Sequence, residues 1–225
     1  MDIIERTKKN IPRALMISVV CSVLIDFLGV QEGFLSEVNK SRVTYSGSVL
    51  GTGNSTLYTV HKKGVLYVEG EIGTGYAHKV RSLLLKYSAH TLVLDSTGGY
   101  LKEAYDLAGL VSLYGINTHV TNKCSSACGI IYLAGYRRTA DKQASFGFHS
   151  TSGGSTTVNK KQNNLMCNYY SRRVPSGRIC NAINDTSSKS MTYLPMKHLL
   201  SVGWLDNTSN KLDKLYPLNF SKLRY

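Results

Sequence analysis

Thr91-Leu-Val-Leu-Asp95, followed by Ser96-Thr-Gly-Gly99 and then Leu101 to Tyr114, is the stretch that decides how this chain folds. The first five residues are a short, nearly unbroken apolar run. That pattern belongs to a strand buried on both faces, as in a parallel sheet. From Leu101 the period changes. Ala104, Leu107, Ala108 and Val111 recur at helical spacing, and Gly115 stands where a helix C-cap is wanted. Strand, glycine turn and helix therefore follow one another within 25 residues.

The same alternation extends both ways. Upstream, Val65-Leu-Tyr-Val-Glu69 reads as a strand ended by Gly70, and Ala77–Tyr87 as a helix with Val80, Leu83, Leu84 and Tyr87 on one face. Downstream, Ile116–Val120 is a short strand. Cys124-Ser-Ser-Ala-Cys128 opens an apolar helix that runs through Leu133 and closes at Ala134-Gly135. Ser145-Phe-Gly-Phe148 is a strand ending at His149. Regular strand–helix alternation with short loops predicts an α/β fold whose parallel sheet is covered by helices. Ligands in such sheets bind beyond the carboxyl ends of the strands. Gly98-Gly99 and the Ser125-Ser126 turn both fall on that side.

The rest of the chain divides by composition. Lys8, Lys9 and Arg13 precede an apolar run from Ala14 to Val30, 17 residues long and interrupted by Asp26. A bilayer-spanning helix needs about 17–25 residues. No small-residue cleavage site follows, so residues 1–30 are expected to be a retained signal-anchor or transmembrane segment. The basic flank predicts a cytoplasmic N-terminus and a domain on the periplasmic side. Residues 31–60 read as a linker with edge strands around Arg42–Tyr45 and Thr56–Val60. Residues 61–225 form the main domain, with a polar insert near 150–190 that includes a helix around Val158–Arg172. Tyr193–Gly203 regains helical spacing before Trp204-Leu-Asp206.

Of the 225 residues, 42% are hydrophobic and 18% charged, which excludes a wholly disordered chain. The net charge of +13 is scattered, with no zinc-finger or RNA-recognition spacing, so no nucleic-acid partner is expected. Tyr169-Tyr170-Ser171-Arg172-Arg173 reads as a solvated face or self-association element. No His/Cys/carboxylate spacing suggests a metal, and no cofactor is expected; His119, on a strand, has no partner cluster in the pattern. Besides Cys21, four cysteines allow three pairings. In an exported domain the local pairs Cys124–Cys128 and Cys167–Cys180 are expected; four reduced thiols are the alternative.

A serine at a strand-to-helix turn can act as a nucleophile when a base takes its proton and fixed N–H groups hold the oxyanion. Ser126 has that context, with small neighbours Ala127 and Gly129. Spacing alone describes a helix cap equally well.

Taken in order, these pieces resemble the Clp-protease-like (Clp/crotonase) superfamily, closest to small exported or membrane-anchored bacterial members. The carriers are Gly70-Glu-Ile72, Leu94-Asp-Ser-Thr-Gly-Gly99, Cys124-Ser-Ser-Ala-Cys128, Leu133-Ala-Gly135, Ala144-Ser-Phe-Gly-Phe-His149 and Gly203-Trp-Leu-Asp206. Thr97 stands where the family usually has proline. The resemblance covers about three-fifths of the chain.

It implies a serine peptidase acting on peptide or protein, with Ser126 as nucleophile and His149 as base. Gly98 and Ala127 would give the oxyanion amides, with Gly99 beside them. Ser125 is the rival nucleophile; the register of Ala134-Gly135 favours Ser126. The third triad position aligns with Ser187. Asp185 is the expected carboxylate, with Asn184 and Asn181 as further candidates. Homo-oligomers are compatible with the resemblance, and no ATPase partner is implied. Two competing readings are a non-proteolytic binding protein on the same fold, anchored at the membrane, and acyl-CoA chemistry of the crotonase type. The latter needs no serine–histidine pair.

Overall fold

The structure is a computed structural model. It describes the backbone of residues 39–46 and 54–62 and the full residues 64–209. The expected membrane segment at 1–30 lies outside the described residues. Among those residues no helix is long and apolar enough to cross a membrane.

The expected edge strands form a hairpin, β1 (Asn39–Ser46) and β2 (Asn54–Lys62), antiparallel to each other, with β2 antiparallel to β3 (Val65–Glu69). From β3 the sheet turns parallel. Helix α1 (Tyr76–Lys86) returns the chain to β4 (Thr91–Ser96), and α2 (Leu101–Leu113) to β5 (Asn117–Ser125). All six residues of β4 are buried, as its unbroken apolar run requires. Helix α2 buries the four residues its spacing selects: Ala104, Leu107, Ala108 and Val111. It ends in a Schellman motif. Gly115 takes φ 60°, its N–H reaches the Ser112 carbonyl, and Ile116 N–H reaches that of Val111.

Strand β5 is longer than the five residues expected and runs into the cysteine segment. The helix read from Cys124 therefore starts only at Cys128 (α3, Cys128–Leu133). The sheet explains the difference. The register of β5 on β4 slips between Leu94 and Ser96, with Leu94 facing Val120 but Ser96 facing Cys124. Beyond that irregularity β5 gains a second partner. Thr118–Val120 pairs with β6 (Arg138–Asp141), while Lys123–Ser125 pairs in parallel with β7 (Ser145–Phe148). The sequence pattern does not mark β6, which also joins β9 (Asn207–Ser209).

The polar insert after His149 holds two helices, α4 (Thr156–Ser171) and α5 (Gly177–Asp185); only the first is expected from spacing. β8 (Thr192–Tyr193) then pairs antiparallel with β7, and α6 (Met196–Ser201) is shorter than the helical spacing at Tyr193–Gly203 suggests. Trp204 is fully buried. Its ring packs against Phe148, Tyr170, Phe146 and Tyr132, with centroids 5.1–6.2 Å away. This corrects the reading of Tyr169–Arg173 as a solvated face. Tyr170 is core, and the Tyr169 hydroxyl donates to the Ile130 carbonyl at 3.1 Å. Arg173 covers the Tyr169 ring at 4.1 Å. Arg138 secures the end of the domain through the Trp204 and Gly203 carbonyls and Asp206.

Candidate active site

Ser126 follows the last residue of β5 with φ 54°, a left-handed backbone that a side chain normally avoids. Such a conformation costs on the order of 1–3 kcal/mol and persists only where its surroundings hold it. Ser126 N–H donates to the Gly147 carbonyl at 2.8 Å, and its own carbonyl accepts from Gly129 N–H at 3.0 Å. A disulfide between Cys124 and Cys128 closes the turn, with Cα atoms 5.3 Å apart. Cys124, Ser125, Ala127 and Cys128 are all buried, which leaves Ser126 as the accessible residue of the turn. The rival Ser125 points the other way. A Cβ placed on Gly147 would stand 2.8 Å from Ser125 Oγ, so that hydroxyl lies against β7.

The second glycine turn abuts this one. Gly98 has φ 98°, and a Cβ there would lie 2.6 Å from the Ser125 carbonyl oxygen, 2.8 Å from Ser126 Cβ and 3.0 Å from Ala127 N. Only a glycine allows that approach. The Gly98 carbonyl accepts from Ile72 N–H at 2.8 Å, and Gly99 bridges to Ile72. These contacts tie the turn to the segment after β3. Gly98 N–H, expected to face an oxyanion, donates to Ser96 Oγ at 3.1 Å. Ala127 N–H and Gly99 N–H donate to no group among the described residues.

The register of β5 on β7 places the imidazole. Ser125 faces Gly147. Ser126 is one residue past that pair and His149 two, on neighbouring strands that run the same way about 4.8 Å apart. Both are therefore at the carboxyl end of the sheet, beside the Gly98 turn. His149 is half-buried, and burial lowers its pKa below the ordinary imidazole value, while the main chain at Ser188 works in the opposite sense. Ser126 Oγ and His149 form no hydrogen bond to each other. Nδ1 of His149 is buried and meets no hydrogen-bond partner among the described residues.

No side chain read as a third triad member reaches that nitrogen. Asp185 is the last residue of α5 and is exposed, as are Asn181 and Asn184. The Ser187 hydroxyl accepts from Lys189 N–H within its own loop. The loop meets the histidine segment through its backbone instead: Ser150 N–H donates to the Thr186 carbonyl at 2.9 Å, and the main chain at Ser188 acts on the imidazole. Sequence reasoning missed Ser188, which sits unmarked in a polar run, and Met191, whose side chain covers Gly147.

Cys167 and Cys180, expected as a second bridge, are free thiols on α4 and α5. His119, partnerless in the sequence pattern, is buried, with Thr139 Oγ1 at 2.7 Å and Asp141 Oδ1 at 3.3 Å. That cluster lies between β5, β6 and β9, away from Ser126.

No family model matches the chain, and no curated protein does. Solved structures do. ClpP1 from Listeria monocytogenes is 18% identical with a TM-score of 0.55, covering 68% of this chain and 94% of that one. The ClpP protease catalytic domain from Plasmodium falciparum is 18% identical with a TM-score of 0.52, covering 65% and 84%. A point mutant of the Listeria protein is 19% identical with a TM-score of 0.50, covering 67% and 94%. The chain thus has the Clp-protease-like fold.

Proposed function

We propose that this chain is a serine peptidase that cleaves peptide bonds through Ser126 and His149. The observation that carries the reading is the accessible Ser126 at φ 54°, held at a strand end next to the His149 strand, with an Ala127 N–H beside it that donates to no group among the described residues. A strained, over-determined backbone at an accessible serine is a feature of nucleophile turns. In the reaction, His149 Nε2 takes the Ser126 proton as Oγ attacks the peptide carbonyl. Ala127 N–H and the Gly98–Gly99 turn receive the oxyanion. The imidazolium returns its proton to the leaving amine, and water then releases the acyl group. The lowered pKa of His149 keeps it neutral, and so able to accept a proton, at neutral pH. The Cys124–Cys128 disulfide supports an oxidising, extracytoplasmic location, with residues 14–30 as the anchor.

An active-site-directed fluorophosphonate should label the wild-type chain and leave Ser126→Ala unlabelled. His149→Ala should lose most of the labelling rate. Labelling that survives in Ser126→Ala overturns the assignment. One observation favours a second reading, a binding protein on the same fold: Ser126 and His149 are not hydrogen-bonded, and Nδ1 lacks a partner among the described residues. Apo catalytic pairs are often loose and tighten only around substrate. A wild-type chain inert to the probe would choose the second reading.

A further inference from the structure

The insert carries a pair of cysteines that the peptidase chemistry does not use. Helices α4 and α5 are joined by the short turn after Ser171, and they meet in steps. At the turn, Ser171 Oγ and Ser176 Oγ are 2.5 Å apart. One helical turn further from the loop, position 167 on α4 and position 180 on α5 carry the two thiols. Each is four residues from its serine and so on the same helix face. Ser176 Oγ lies 3.5 Å from Cys180 Sγ, which the matching steps of the two helices bring opposite Cys167. Both are partly exposed, so a small reagent can reach them. Elsewhere the same chain holds a formed disulfide, so an environment that oxidised Cys124 and Cys128 would act on this pair too.

We propose that Cys167 and Cys180 form a redox-active dithiol that closes reversibly to a second disulfide, clamping α4 to α5. With a low-molecular-weight disulfide as oxidant, one cysteine attacks it and releases one thiol. The second cysteine resolves the mixed disulfide and releases the other. Two protein thiols and one disulfide become one protein disulfide and two thiols. Burial, with Cys180 alongside, pushes Cys167 up to about 12, so closure quickens as pH rises. Helix α5 leads directly to Thr186, whose carbonyl accepts from Ser150 N–H beside His149. The clamp would therefore steady the support of the imidazole, a consequence that rests on the peptidase reading.

The test incubates the full chain with oxidised glutathione or with reduced dithiothreitol, alkylates it with iodoacetamide and maps the peptides, which also separates Cys21. The expected result is a linked Cys167–Cys180 peptide, two hydrogens lighter and reversed by dithiothreitol. Amide exchange at 186–190 should slow at least about tenfold in the oxidised chain. Stable glutathione adducts, cross-linked chains or full alkylation after oxidation, with no linked peptide, overturn the proposal. Loss of fluorophosphonate labelling in wild type would instead strike the peptidase reading and leave the dithiol standing.

Discussion

Two regions meet at His149, and they are built differently. The turn after β5 is buried and cross-braced from three sides: β7 bonds its backbone, the Gly98 turn presses on it, and a disulfide spans it. The α4–α5 insert is polar on its outer faces, anchors in the core through Tyr170, and meets the histidine segment through the Thr186 carbonyl on Ser150 N–H and the Asn163 side chain on Thr151 N–H. The nucleophile is thus fixed by two contacts distant in sequence, Gly147 and Gly98, and by one local disulfide. The base is fixed on one side by the sheet and on the other by a loop that follows an exposed helix end. Rigidity where the strain is stored, and latitude where the support is a polar loop, is the contrast to test.

The largest expected effect comes from adding one methyl group to the rigid side. In Gly98→Ala the new Cβ would stand 2.6 Å from the Ser125 carbonyl oxygen, at φ 98°. Neither the strand end nor the disulfide-closed turn can give way cheaply. Displacing a nucleophile by about an ångström costs roughly 100-fold, so kcat/KM on a peptide substrate should fall by at least that much. Gly153→Ala is the paired control in the insert. It also has positive φ, 93°, but nothing lies within 4 Å, so only backbone strain is added and the rate should stay within about twofold. Equal losses in the two variants would erase the contrast.

A smaller effect is expected from removing the staple. Replacing Cys124 and Cys128 together by serine opens a loop of four residues of separation. The chain-entropy estimate for so short a loop is about 2 kcal/mol. Thermal unfolding measures that loss. Because Ser126 keeps its bond to Gly147 and the Gly98 contact, kcat/KM should fall by only about tenfold. A stability loss with no change in rate would mean the sheet alone holds φ at Ser126.

The same contrast explains what was legible in the sequence. β4 and α2 announced themselves, because a continuous apolar run and a 3.6-residue period have one stable solution each. The placement of Ser126, His149 and Gly98 at the carboxyl end of the sheet was legible because each follows such an element. The length of β5 was not, since it depends on a register slip against β4 and on a second partner, β7, that is distant in the chain. β6 and β9 are short strands whose pairing comes from the sheet edge, not from a local pattern. Tyr170 looked like part of a basic surface because its core neighbour, Trp204, is 34 residues away. The contact at His149 was the least legible. A main-chain group carries no residue signature, and Ser188 differs in no visible way from Ser187 or Ser190.

That last point leads to the smallest predicted effect. Asp185 is the natural carboxylate to complete a triad, yet it is exposed at the end of α5 and makes no hydrogen bond or ion pair among the described residues. Asp185→Asn should therefore change kcat/KM by less than about twofold. The pH profile extends the test. Burial disfavours the His149 imidazolium, so its pKa in the folded chain lies below 6.5. The rate should rise with pH through that lowered value, as the neutral base appears, and be flat above it. A carboxylate bonded to Nδ1 would stabilise the imidazolium and move the acid limb to higher pH. The limb should consequently sit below 6.5 in wild type and stay there in Asp185→Asn. A wild-type limb above that value which drops in the variant, with a loss of about tenfold or more in rate, would show that the loop closes around substrate and brings Asp185 to the histidine.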